Sequence, residues 1–218
     1  MAMITAVAAL RELRAGNQRF VSKLGLESEP GLEARAARLG RHQLPREQEP
    51  MAIVLGCSDA RVPAEIIFDQ GLGDLFVIRV AGNIVAPSQV GSVEFAASAF
   101  GTRLVVVLGH SSCGAVHATL EQLSRPMRDQ SRNLRSIVDR IRPAVEGLLE
   151  RVPPHDAQTL EQHAVRANIR MSSAQLRHGS ELLEQLIAKD GLVVVGAEYS
   201  LETGVVDFFD GVPPGLPP

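Results

Sequence analysis

Cysteine occurs only twice in this chain, at Cys57 and Cys113, tryptophan is absent and tyrosine occurs once. Two cysteines allow one disulfide at most. Each sits among other ligand-type residues, so the pair reads as reduced thiols kept for a metal rather than as a bridge. Reduced thiols fit a cytoplasmic protein. No apolar run approaches the roughly 20 residues of a membrane-crossing helix, which gives no reason to expect a membrane-spanning protein. The net charge is only -3 and lysine and arginine form no run. Nucleic acid and an anionic membrane surface are therefore not expected partners. Internal repeats and an interdomain linker are also lacking.

The hydrophobic share of 45% against 22% charged residues is that of an ordinary soluble globular chain, and 218 residues favour one domain over two. Residues 1–218 are read as that single domain, with an amino-terminal helix over 1–20 and a flexible tail over 211–218. The apolar stretch from Met3 to Leu10 has no basic segment before it. Its apolar positions continue to Leu13 and Phe20 with charges between, as in an amphipathic helix of the mature protein. Gly16 and Asn17 are expected near the end of that helix, and Ser22 to Pro50 as loop and short helix.

From there the pattern alternates. Strands are expected at Ala52 to Gly56, Leu75 to Val80, Leu104 to Leu108 and Leu192 to Gly196, with helices around Pro63 to Phe68, over Ser92 to Phe100 and, with breaks at Pro126, Pro143 and Pro153-Pro154, from Ala115 to about Lys189. Ala197 to Phe209 reads as a hairpin turning at Glu202-Thr203-Gly204. The order predicts an α/β fold with a mainly parallel sheet of four or five strands flanked by helices.

The run LVVVLGHSSCG, Leu104 to Gly114, organises the rest. Five apolar residues mark a strand buried on both faces, and His110 and Cys113 follow its end. The arrangement recurs upstream, where Ala52 to Leu55 runs into Gly56, Cys57, Asp59 and Arg61. In an open parallel sheet, sites form beyond the carboxyl ends of the strands. Cys57, His110 and Cys113 are therefore read as one metal site. Two thiolates and an imidazole suit tetrahedral zinc with the fourth position left for water. Asp59 is near enough in sequence to reach that position or to accept a hydrogen bond from hydroxide there. Arg61 is placed to hold Asp59 off the metal by a bidentate pair. Because two thiolates neutralise zinc more than imidazoles do, activity is expected to favour alkaline pH.

At these residues the sequence resembles the β-class carbonic anhydrases. The resemblance is carried by CSDARVPAE from Cys57, the segment Arg79-Val80-Ala81-Gly82-Asn83, GHSSCGAV from Gly109, the closing VVGAEYSLETGVV and the amino-terminal LRELRAGNQRFV. It implies reversible hydration of carbon dioxide to bicarbonate, with one zinc per subunit held by Cys57, His110 and Cys113 and zinc-activated hydroxide attacking the carbon dioxide. It also implies an Asp59/Arg61 catalytic dyad, Asp59 serving as fourth zinc ligand in a closed state. Gln48 and the amide of Gly114 would bind substrate oxygen, and Phe76, Ala81 and Phe95 would line the small apolar pocket, partly from a neighbouring subunit. A homodimer or homotetramer is implied, with the amino-terminal helix embracing a partner.

One departure stands out. Some relatives bind a second, inhibitory bicarbonate through a tryptophan three residues before the first zinc cysteine. That position is Val54 here, so the regulatory pocket is expected to be missing although Arg79 is present. His42, His117, His155, His163 and His178 have no partner pattern and are expected at the surface. Two rivals remain: hydrolysis of carbonyl sulfide or carbon disulfide, and a non-catalytic zinc-folded module closed by Asp59.

Overall fold

The computed structural model describes residues 4–24, 48–125, 131–149 and 157–215. Most of the expected loop region at 25–47, with His42, lies outside them, as do His155, Pro126, Pro153-Pro154 and the last three residues of the tail.

Among these residues five strands form one sheet in the order β2-β1-β3-β4-β5. They are β1 (Ala52–Gly56), β2 (Leu75–Arg79), β3 (Leu104–His110), β4 (Val193–Tyr199) and β5 (Val206–Asp210). The first four run parallel and β5 is antiparallel to β4, closing the expected hairpin. Among the described residues the helices are α1 (Ala6–Leu24), α2 (Ala64–Ile67), α3 (Pro87–Ala99), α4 (Gly114–Ser124), α5 (Arg132–Val145), α6 (Ala157–His178) and α7 (Glu181–Lys189), with 3-10 turns at Ala81–Asn83 and Glu146–Leu148.

The uninterrupted apolar strands follow from two cores, one on each face. Side chains alternate along a strand. Val105 and Val107 of β3 and Ile53 and Leu55 of β1 therefore enter the core built with Val93, Ile141, Val165, Ile169 and Leu183 from α3 and α5 to α7. Their neighbours Leu104, Val106, Leu108, Ala52 and Val54 enter the other, built with Leu10, Leu13, Ile67 and Phe68 from α1, the end of α2 and the residue after it. No strand position between the faces can be polar without a buried partner, which is why the runs read as continuous.

The amino-terminal helix lies on the chain's own sheet. Leu10 and Leu13 are fully buried there, each contributing about 1.5–3 kcal/mol relative to exposure. The embrace of a partner is thus not what covers this apolar face. The helix also runs past Gly16 and Asn17 to Leu24, further than expected. Gly16 is a close-contact position and not a helix end: a Cβ there would stand 1.8 Å from the Phe68 carbonyl oxygen. Asn17 is buried and fully used. Its Nδ2 donates to the carbonyls of Ile67 (3.2 Å) and Gly204 (2.9 Å), and its Oδ1 accepts from the Val206 amide (2.9 Å).

Other differences are of extent. Helix α3 starts at Pro87, five residues before the expected Ser92, because proline fits the first turn. Strands β3 and β4 run on together to His110 and Tyr199, which pair directly. The turn at Ala81–Asn83 had no sequence signal beyond a glycine.

Candidate metal centre

In the order β2-β1-β3, the chain leaves β1 toward one side for β2 and later occupies its other side with β3. The carboxyl ends of β1 and β3 therefore flank the crevice where strand order reverses. Cys57 follows β1 at once, His110 ends β3, and Cys113 caps α4. Their ligand atoms all lie within 4.8 Å of one another, and all three residues are buried. Both thiols are free.

The loop between His110 and Cys113 is shaped for this. Ser112 takes a left-handed conformation, φ 53°, which lets two ligands three residues apart face one point. Ser111 ties the loop to the neighbouring strand: its amide donates to the Tyr199 carbonyl at 3.0 Å and its hydroxyl accepts from the Leu201 amide at 3.0 Å. Arg79 does the same for the other loop, donating to the carbonyls of Cys57 (3.0 Å) and Asp59 (2.6 Å).

The donor set fits zinc. The Nδ1 of His110 stands 2.9 Å from the Ser111 carbonyl oxygen. A carbonyl can only accept, so Nδ1 carries the proton and Nε2 presents a lone pair. That Nε2 is buried with no hydrogen-bond partner, a condition that a metal ligand relieves. Two cysteine sulfurs and an imidazole nitrogen are a donor set that zinc accepts, and lying within 4.8 Å of one another they are close enough to share one ion.

Electrostatics prepare the thiols. Cys57 is pushed down to about 4, chiefly by the hydrogen bond from Cys113, with His110 and the amides of Asp59 and Gly82 adding to it against burial. Cys113 is pushed well above the thiol range, because it gives that hydrogen bond and is buried. Burial, the largest single effect, opposes a charge on His110, yet Cys57, the Ser111 carbonyl and Asp59 together outweigh it and raise the imidazole. The Gly82 amide stands 3.3 Å from Cys57 Sγ.

Asp59 is held beside this cluster. Arg61 donates from Nε to Oδ1 at 2.9 Å and from Nη2 to Oδ2 at 2.7 Å, and its backbone amide adds a third bond to Oδ1 at 2.9 Å. Those bonds keep the Asp59 carboxyl well below the usual carboxylate range. Its Oδ2 stands 3.8 Å from His110 Nε2.

Comparison with known proteins decides what kind of site this is. The family model described as carbonic anhydrase matches residues 52–206. The chain belongs to the carbonic anhydrase family. It is 40% identical over 205 residues to a carbonic anhydrase of Mycolicibacterium smegmatis, with 92% of each chain covered. Among solved structures, the β-carbonic anhydrase CcaA is similar at a TM-score of 0.68 and 27% identity, over 89% of this chain and 95% of that one. A tetrameric β-carbonic anhydrase of Sordaria macrospora shares the fold, with a TM-score of 0.65 at 20% identity over 92% and 96%. The class is β.

Measured against this β-carbonic anhydrase frame, the expected pocket residues divide. Ala81 precedes the Gly82 that contacts Cys57, and Gly114 opens α4 directly after Cys113. Gln48, Phe76 and Phe95 do not gather there. Pro50, two residues after Gln48, accepts from Thr102 just before β3, so Gln48 lies exposed near the amino edge of the sheet. The five residues of β1 alone separate that edge from Cys57 by roughly 17 Å. Phe76 is level with Ile53, near the start of β1. It packs with Phe95 and Phe100, at centroid distances of 6.4 and 6.0 Å. Within one chain these three residues do not line the metal cluster.

Val54 is fully buried in the core, and Arg79 donates from Nε and Nη2 to backbone carbonyls. His117, His163 and His178 are exposed as expected. The amide of Gly82 was missed by the sequence reading, since nothing in the segment marks a backbone N–H as facing a sulfur.

Proposed function

We propose that this β-carbonic anhydrase hydrates carbon dioxide reversibly to bicarbonate and a proton, using one zinc ion held by Cys57, His110 and Cys113. One observation carries the reading: two buried cysteines and a buried imidazole lie together, with a carboxylate beside them that an arginine grips at both oxygens. Bound there, zinc would supply a hydroxide nucleophile, increasingly so as the pH rises above neutrality.

The chain's own residues do the rest. Asp59 accepts the hydrogen bond from the nucleophile's hydroxyl and so turns a lone pair toward the carbon. Being ionised far below neutral pH, it does not compete for the proton. Arg61 holds the carboxylate in that role and away from the metal. The Gly114 amide lies in the first turn of α4, where helix amides lack an intrahelical acceptor, and donates to a substrate oxygen. Ala81 keeps the adjoining wall small and apolar.

A second copy of the chain completes the pocket in this proposal. Gln48, Phe76 and Phe95 stand away from the metal of their own chain, and Phe95 is 55% exposed beside Phe100. Contributed across an interface, they would supply the glutamine donor and the apolar lining. The tetrameric relative of the same fold supports assembly as a homodimer or homotetramer. The two unbridged thiols support a cytoplasmic setting. No helix among the described residues is long and apolar enough to cross a membrane.

The zinc-folded module is disfavoured by the Arg61 grip, which a permanently closed site has no use for. Hydrolysis of carbonyl sulfide or carbon disulfide gains no support from the Mycolicibacterium relative, named as a carbonic anhydrase. Stopped-flow hydration by zinc-loaded protein tests the proposal. Catalysis proportional to bound zinc is expected; stoichiometric zinc without faster hydration would refute it.

A further inference from the structure

Helix α6 reaches the metal centre through one side chain. Asn168, buried to 1% exposure, donates from Nδ2 to the carbonyl of Gly82 at 2.8 Å, across 86 residues of sequence. The amide of the same glycine stands 3.3 Å from the sulfur of Cys57. Gly82 has a left-handed backbone, φ 68° and ψ 20°, and a Cβ there would come within 2.8 Å of Ile141 and 3.0 Å of Ala115. The position therefore demands glycine, and glycine is also the residue freest to change conformation. Something outside the turn must fix it.

Asn168 is itself rigidly held. The adjacent Ile169 packs so closely over Gly109 of β3 and Gly196 of β4 that a Cβ would stand 2.6 Å and 2.8 Å from it. The asparagine thus links the packed face of α6 to the turn after β2. A hydrogen bond to a thiolate draws electron density from the sulfur and fixes its direction, and such outer contacts govern how a ligand serves its metal.

We propose that Asn168 is a positioning residue for the metal ligand Cys57: by holding Gly82 it maintains the N–H···S hydrogen bond that orients the sulfur and limits its donation to the metal. This rests on the metal reading above. Asn168 touches neither substrate nor metal; it acts through Gly82.

The test uses the cobalt(II)-substituted protein, whose thiolate-to-metal charge-transfer band reports directly on the sulfur. Asn168→Leu keeps the branched shape without a donor. Asn168→Ala removes the donor without adding bulk and carries the test if the leucine variant does not fold. In the folded variant the band is expected to move to longer wavelength, because a sulfur without its hydrogen bond is easier to oxidise. Loss of zinc to a chelator is expected to be about 10-fold faster than in the wild type. A band and a chelation rate both unchanged, whatever happens to the unfolding transition, would overturn the inference and leave Asn168 a packing residue. No thiolate band in the wild type itself would overturn the metal reading instead.

Discussion

The guanidinium of Arg61 meets the carboxylate of Asp59 edge to edge, Nε to Oδ1 at 2.9 Å and Nη2 to Oδ2 at 2.7 Å, although Arg61 is largely exposed. Two residues apart in sequence, they form a fork that a lysine cannot reproduce. A surface ion pair of this kind adds little stability, so its use must be sought in orientation.

Arg61→Ala is therefore expected to lower kcat/KM about 100-fold or more, with one zinc per chain retained and the unfolding transition little changed. Arg61→Lys should recover only a small part. Stopped-flow rates alongside metal analysis check this, and an alanine variant of wild-type speed would remove Arg61 from the mechanism.

If Gln48 serves the site of a second copy, complementation should reveal it. Gln48→Ala and Cys57→Ala chains are each expected to be nearly inactive. Unfolded together and refolded as a mixture, they form hybrid assemblies in which a wild-type Gln48 faces an intact metal site, and activity should return. Mixtures as inactive as their parents would place Gln48 outside the pocket.

The rate should rise with pH above neutrality and level off on the alkaline side. Asp59 does not set this limb. Its folded pKa is depressed, so the stabilisation it gains from Arg61 is present above the unfolded value of about 4 and fades only as pH falls through the lower folded one. A profile of kcat/KM flat from mildly acid to alkaline pH would contradict the two-thiolate site.

Stripped of metal, the protein should stay folded, since the two cores rest on apolar side chains from the strands and helices on both faces of the sheet, and should hold one thiolate. With Cys57 pushed down to about 4, the thiolate absorbance of the metal-free protein is expected at pH 6 and should vanish in Cys57→Ser. Ordinary thiols would show none until the pH approached about 8.

Two glycines of helical segments should respond oppositely. Gly16→Ala forces a methyl onto the Phe68 carbonyl and should destabilise by about 1–3 kcal/mol. Gly91→Ala, in α3 with nothing within 4 Å of the new methyl, should stabilise by about 0.5–1 kcal/mol. Urea unfolding of both variants reads the contrast; equal shifts would discredit the close approach at Gly16.

Much of this was visible in the chain itself. The strands at Ala52 and Leu104 announced themselves because burial on two faces admits only apolar side chains, and the metal ligands because sulfur and imidazole at strand ends have few other uses. Helix α1 was found but its end was not. Gly16 and Asn17 look like a stop, yet the contacts with Phe68 and Gly204 that make them interior positions come from distant segments. Gln48 is nine positions from Cys57 in sequence, yet the intervening extended strand separates the two, a distance that no local pattern reveals.

The amino-acid sequence on its own determined the parallel α/β order, the two-sided cores, the donor set Cys57, His110 and Cys113, and the pairing of Asp59 with Arg61. All of these depend on side-chain chemistry and on spacing over a few residues. Tertiary structure alone decided that α1 lies on its own sheet, that the Gly82 amide meets Cys57, that Asn168 secures Gly82, and that Gln48 stands far from the metal of its own chain. Those outcomes depend on where packed helices and the length of a strand carry groups through space, and a hydrogen bond spanning 86 residues leaves no local trace.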